Sequence, residues 1–241
     1  MQDIHDSASY YDSVVPHFRD MSAARHAYIQ AVNNEVVRCM AEYGAGRFID
    51  VGCGDGIRAL ELAERTGWQP IGVDNSSRMV HRARALGLDT MELDFSKPEA
   101  NIPTPPVQAV TLLWNVLGHV PKTRRMTLLH NCRNSLTQDG VLIFDVNNSL
   151  NVRQYGLRNV IRNGFRILVK SNEYTGDYLI SSPDHSNVRT ISHIFHVNEI
   201  KNMLDASGFD HRIKYIDYQT GNVTTPLQGQ MFIVARKRHE S

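Results

Sequence analysis

The period of the apolar positions changes several times along the chain, and each change marks an element. Residues 16–43 set Ala23, Ala24, Ala27, Ile29, Val32, Val36, Val37 and Met40 at helical spacing, which predicts a helix stopped by Gly44 and Gly46. Short apolar runs then alternate with amphipathic stretches. Residues 47–51 (RFIDV) read as a buried strand, 57–65 as a helix, 70–74 as a second strand, and the residues up to 86 as a helix capped by Asn75 or Ser76. Strands follow at 89–93, 107–114 and 140–146, with a helix over 122–136 before the last. Such alternation implies parallel strands covered by helices on both faces.

After Val146 the rhythm breaks. Residues 147–196 are polar and rich in Asn, Arg, Tyr and His, with strands expected at 164–170, 178–181 and 189–195. A helix at 197–206 and strands at 211–218 and 230–236 restore the pattern. The expected architecture is a single α/β domain, Rossmann-like and doubly wound, with a mostly parallel seven-stranded sheet. Its parts are an N-terminal helical lid (1–46), a binding core (47–146), a cap inserted between strands five and six (147–196), and a C-terminal helix with closing strands (197–241).

Composition narrows the partners. At 241 residues the chain can bury roughly 70–75% of its unfolded surface without staples. Lys and Arg (26) nearly cancel Asp and Glu (25), so a general grip on the phosphates of nucleic acid is not expected. Cys39, Cys53 and Cys132 form no Cys-x-x-Cys pair, which argues against a disulfide framework and a zinc site. No apolar run approaches the roughly 20 residues of a membrane span. These features lead to the expectation of a cytoplasmic protein without membrane or nucleic-acid partners; a cap of this kind can also mediate a homodimer.

The candidate chemistry begins at the turn after the first strand. Gly52, Gly54 and Gly56 lie between strand and helix, where a sharp turn and a closely approaching ligand leave no room for Cβ. Asp74 ends the next strand, where a carboxylate can accept both hydroxyls of an adenosine ribose. A dinucleotide would set its pyrophosphate on the helix N-terminus, but Asp50 and Asp55 flank this loop and repel an anion. Residue 57, where a dinucleotide loop has its third glycine, is isoleucine. A donor without phosphate that carries a sulfonium and an ammonium, S-adenosylmethionine (SAM), suits the acidic flanks.

Several segments, in order, resemble the class I SAM-dependent methyltransferases. They are 48–56 (FIDVGCGDG), 71–79 (IGVDNSSRM), 93–95 (LDF), 110–119 (VTLLWNVLGH) and 136–144 (LTQDGVLIF). The resemblance implies that Gly52, Cys53 and Gly54 line the methionine part of SAM, with Asp50 fixing the loop and reaching toward the ammonium. It implies Asp74 on the ribose, Asn75 and Met79 beside the nucleoside, and Asp94 and Phe95 at the adenine. Asn115 would contact the methionine portion and face the acceptor. Apart from the resemblance, Tyr11 in the N-terminal segment is a candidate to close over the cofactor.

Methyl transfer from a sulfonium needs alignment more than acid–base help. His119, just past a strand end, is the candidate base. Asn147, Asn148, Tyr178 and His193 are candidates to hold a small-molecule acceptor at an N or O atom. His193 and His196 on one strand would point to opposite faces, and Asn115 stands where metal-dependent relatives need a carboxylate, so no metal is expected. Competing readings are methylation of nucleic acid or protein, binding of SAM without catalysis, and a nicotinamide oxidoreductase.

Overall fold

The structure is a computed structural model that describes residues 6–161, 176–182 and 188–238. Strands β1 (Arg47–Val51), β2 (Gln69–Asp74), β3 (Thr90–Glu92), β4 (Val107–Leu112) and β5 (Leu136–Val146) pair in parallel. Two strands of a small hairpin, β6 (Asp177–Ser181) and β7 (Arg189–His193), come next, and β8 (Phe209–Ile216) and β9 (Gln230–Lys237) close the main sheet. The seven-stranded order is β3-β2-β1-β4-β5-β9-β8, with β9 antiparallel to both neighbours.

Side-chain alternation along the central strands explains the two helical layers. Phe48, Ala109 and Ile143 face one side, where they meet Val32, Val36 and Met40 of α3 (His26–Ala41) and Ala59 and Leu62 of α4 (Ile57–Thr66). Their neighbours Ile49, Val110 and Phe144 face the other side. There they meet Leu128, Leu129 and Cys132 of a helix at Lys122–Ser135, and Ile200 and Leu204 of one at Val197–Ala206. Both faces are covered, so β1 and β4 are buried along nearly their whole length.

Further helices are α1 (Ser7–Val14), α2 (Phe18–Ala23), α5 (Ser77–Ala85) and α7 (Val152–Tyr155); the Lys122 helix is α6, and residues 157–161 are also helical. The expected helix over 16–43 is two. Arg25 leaves the helical region between them, and its guanidinium sits 4.5 Å above the Tyr218 ring. α2 buries no residue, whereas α3 packs its apolar stripe from Tyr28 onward, so only the second piece is held by the core. α1, which the sequence pattern did not predict, is capped by Asp6 accepting from Ser9 N. β5 begins earlier than expected, β4 and β7 end earlier, and the strand expected at 164–170 lies outside the described residues.

The sheet order reverses between β1 and β4, where a crevice opens over the strand ends. α1 roofs it from one side: Asp12 accepts from Ser76 Oγ at 2.5 Å and Val15 O from Arg82 at 2.7 Å. The β6–β7 hairpin covers it from the other, with β7 packed on α1 and on a 3-10 turn at Val116–His119. A buried ion cluster anchors that hairpin. Arg125 of α6 lies 3.5 Å from Asp177 and 3.4 Å from Glu199, and its guanidinium stacks 5.0 Å above Phe195. His193 bonds to Asp177 through Nδ1 and to Glu199 through Nε2 at 3.1 Å. Burial alone would lower its pKa; the two carboxylates outweigh that and raise it.

Candidate active site

The loop after β1 is shaped by backbone that side chains rarely adopt. Gly52, Gly54 and Gly56 all have positive φ (72°, 56° and 81°). A Cβ on Gly52 would lie 2.6 Å from Val116 Cγ2, and one on Gly54 would lie 3.0 Å from the Phe18 ring. Gly52 N and Cys53 N both donate to Val73 O, fastening the loop to the end of β2. Asp74 completes the fastening by accepting from Gly54 N and Ser76 N, each at 2.9 Å. A carboxylate has about four lone-pair sites, so acceptor capacity remains for a ribose diol. Burial raises the Asp74 pKa, while the backbone N–H groups favour its ionised form.

A cleft lies above this loop. Gly52, Gly54, Asp74, Asn75, Asp94, Phe95, Tyr11 and His119 of the sequence-derived candidates all line it. Three of these side chains are firmly placed. Asn75 donates to Ser7 Oγ at 3.0 Å, tying the lid to β2. Asp94 accepts from Ser96 N and Oγ and pairs with Arg124 at 3.2 Å. Phe95 is buried beside it.

Other candidates stand behind the cleft wall. Asp50 accepts from Thr111 Oγ1 at 2.6 Å beneath the loop, and burial pushes its pKa up to about 6. The Cys53 side chain packs in the core on the α3–α4 face, and Met79 packs against Tyr10 and Val14 of α1. Asn115 is buried between β5 and the hairpin. Its side chain accepts from Asn147 N and donates to Ser192 Oγ, each at 3.0 Å. Asn147 also donates to Tyr178 OH at 3.0 Å. Asn148 is fully buried and holds Pro226 O and Gly229 O, and His193 is committed to the ion cluster.

The turn carrying Asn115 is strained and clamped. Trp114 and Asn115 have φ of 70° and 60°, two successive non-glycine residues in the left-handed region, which costs on the order of 1–3 kcal/mol each. Asp145 holds them there. Its Oδ1 accepts from Trp114 N at 2.6 Å and its Oδ2 from Tyr28 OH at 2.9 Å. No local sequence signal marks Asp145 as a clamp. Phe18, which rests on Gly54 and lies 5.6 Å from the Trp114 ring, was likewise missed.

His119 stands at the end of that turn, half-buried, with its ring 5.4 Å from Tyr11 in an edge-on contact. Its Nδ1 lies 3.1 Å from Ile191 O. A carbonyl can only accept, so Nδ1 carries the proton and Nε2 keeps its lone pair. Burial lowers its pKa to about 4, so the ring is neutral at pH 7.

A glycine cradle at a sheet's switch point, an acidic residue on the next strand and a cleft above them define a Rossmann-like fold with a candidate ligand site at its switch point. The family model that describes a methyltransferase domain matches residues 48–140. The matched stretch holds the glycine loop, Asp74, Asp94, Phe95 and Asn115, and over it the chain resembles a methyltransferase domain. Solved structures share the fold at low identity. The CcbJ methyltransferase from Streptomyces caelestis is 13% identical, covers 98% of this chain and 100% of its own, and has a TM-score of 0.70. A SAM-dependent methyltransferase from Methanosarcina mazei is 19% identical, with coverage of 81% and 94% and a TM-score of 0.62. DhpI, solved with SAM and HEP, is 18% identical, with coverage of 95% and 94% and a TM-score of 0.65. No curated protein matches the chain in sequence. Among the described residues, no helix is long and apolar enough to cross a membrane.

Proposed function

We propose that this enzyme methylates an N or O atom of a small molecule held between the lid and the hairpin. The carrying observation is enclosure. The turn that ends in His119 lies under Tyr11 of α1 and against Ile191 of β7, so an acceptor reaches it between three elements rather than across an open face. SAM supplies an activated methyl group. The protein's work is alignment, worth several kcal/mol when nucleophile and carbon are held at near-attack distance. In this reading Gly52 and Gly54 receive the methionine portion, Asp74 the ribose, and Asp94 and Phe95 the adenine. Tyr11 closes the roof, and Asn115 fixes the floor through Asn147 and Ser192. His119 Nε2 accepts a hydrogen bond from the acceptor.

The test uses SAM labelled in its methyl group, incubated with the enzyme and a cell extract divided by size. Label is expected in the small-molecule fraction. Label confined to protein or nucleic acid would move the assignment to macromolecule methylation, and SAM binding without any transfer would make the chain a sensor.

A further inference from the structure

Tyr11, Phe18, Trp114 and His119 form a continuous run of rings, with centroids 5.4 Å apart for Tyr11–His119, 6.5 Å for Tyr11–Phe18 and 5.6 Å for Phe18–Trp114. They come from the lid and from the turn after β4, and all four line the cleft. Charge along the cleft is one-sided. Among the described residues that line it there is no Lys or Arg, and the ionisable carboxylates are those of Asp74 and Asp94.

The nearest cations are engaged elsewhere. Arg19 lies 3.8 Å from Asp55, Arg25 stacks on Tyr218, Arg124 pairs with Asp94, and Arg125 is buried between Asp177 and Glu199. The adjoining outer cleft does carry Lys97, Lys122, Arg124 and Arg125, but Asp6, Glu92, Asp94 and Asp177 match them in number. A carboxylate, phosphate or phenolate acceptor would therefore enter without a side-chain cation to pair with it. Aromatic faces present negative potential and suit the opposite sign.

The geometry points to an amine acceptor, a compact molecule whose nitrogen sits among Tyr11, Phe18, Trp114 and His119 and is methylated there. This assignment rests on the proposed methyltransferase site and narrows its acceptor. The His119 tautomer agrees with it. With Nδ1–H spent on Ile191 O, Nε2 can accept from an amine N–H but has no proton to give an oxyanion. The amine enters the reaction unprotonated, and its lone pair forms the N–C bond. The S–C bond breaks with its electron pair left on sulfur, and the ammonium product then loses one proton to water. Positive charge grows on nitrogen during that step, facing the rings.

Three isosteric probes test this on the full-length enzyme saturated with S-adenosylhomocysteine (SAH): choline, 3,3-dimethylbutan-1-ol and 3,3-dimethylbutanoate. They differ in charge and little in shape. Titration calorimetry should show choline binding at least about fivefold more tightly than the neutral alcohol, a factor ring faces of this number supply, with the carboxylate weakest. Equal or tighter binding of the alcohol or the carboxylate overturns the amine assignment, as does failure of choline to bind at tens of millimolar. SAH binding is measured first in the same titration. If SAH itself does not bind, the methyltransferase reading of the site fails, and that outcome is distinct from the other two.

Discussion

The two ends of the cleft are built differently. The donor end is assembled from residues close in sequence: Gly52, Gly54 and Asp74 belong to one strand–loop–helix–strand unit, and Asp74 grips Gly54 across 20 positions. The acceptor end is assembled from distant segments. Asn115 meets Ser192 across 77 positions, His119 meets Ile191 across 72, and Tyr28 reaches Asp145 across 117. Local units can announce their geometry in a motif, whereas a surface made by three segments shows itself only after folding. Damage at the donor end should therefore abolish binding, and damage at the acceptor end should slow the reaction with the donor still bound.

The largest effect is expected at Gly52, and Gly67 supplies its control. The two have nearly the same φ, 72° and 73°. An added Cβ at Gly67 meets nothing within 4 Å, while one at Gly52 meets Val116 Cγ2 at 2.6 Å. Gly67→Ala should cost the backbone penalty alone, about 1–2 kcal/mol, and leave SAH affinity unchanged. Gly52→Ala carries that penalty and also displaces Val116 at the cleft wall. Its SAH affinity should fall at least about 100-fold by calorimetry, or about 2.7 kcal/mol. Equal SAH affinity in the two variants would break the comparison at its first step.

A smaller effect, of a different kind, is expected at the clamp. Asp145→Asn keeps one acceptor for Trp114 N, while its Nδ2 can only donate toward the Tyr28 oxygen, so two charge-assisted bonds become two weaker neutral ones with one reversed. The left-handed pair is then held more weakly, and the turn carrying His119 can relax. Turnover should drop about 10-fold, or about 1.4 kcal/mol in the barrier, with SAH affinity within about threefold of wild type. Tyr28→Phe, which removes one of the two bonds, should fall between. If SAH affinity drops as far as turnover, Asp145 supports the donor end and the division of labour is wrong.

Legibility in the sequence follows the same division. The sheet, its parallel core and the glycine loop were readable because each depends on a run of about 30 residues with its own periodicity and turn chemistry. Asp94 and Phe95, which line the cleft, were singled out through resemblance. The helix over 16–43 was misjudged because its apolar stripe is continuous while the break at Arg25 is set by tertiary contact with Tyr218. Asp145 could not be read as a clamp, since its partners Trp114 and Tyr28 lie 31 and 117 positions away. His193 carried the wrong emphasis for the same reason: its neighbours Asp177, Glu199 and Arg125 come from three other elements.

The smallest effect is expected at His119, and it separates orientation from proton transfer. His119→Asn can keep an N–H donor toward Ile191 O while losing the Nε2 lone pair. SAM chemistry starts from an activated methyl group, so a hydrogen bond that merely orients the acceptor should cost about 10-fold or less in turnover. The folded pKa near 4 predicts that wild-type turnover shows no step from this ring between about pH 5.5 and 7.5. Stability supplies an independent check. Between the unfolded value near 6.5 and the folded value near 4 the unfolded chain binds more protons. Stability is therefore lost as pH falls through that window, by up to about 3 kcal/mol. Asp50, with its pKa raised to about 6, acts in the opposite direction: its folded form binds the extra proton, and stability gains as pH falls. Only the difference between wild type and His119→Asn isolates the ring. Urea melts at pH 7.5 and 4.5 should show the variant losing less stability on acidification than wild type. An unchanged difference, together with a rate loss far above 10-fold, would mean that His119 is exposed to solvent and works as a proton acceptor, and the acceptor end would then need a base as well as a shape.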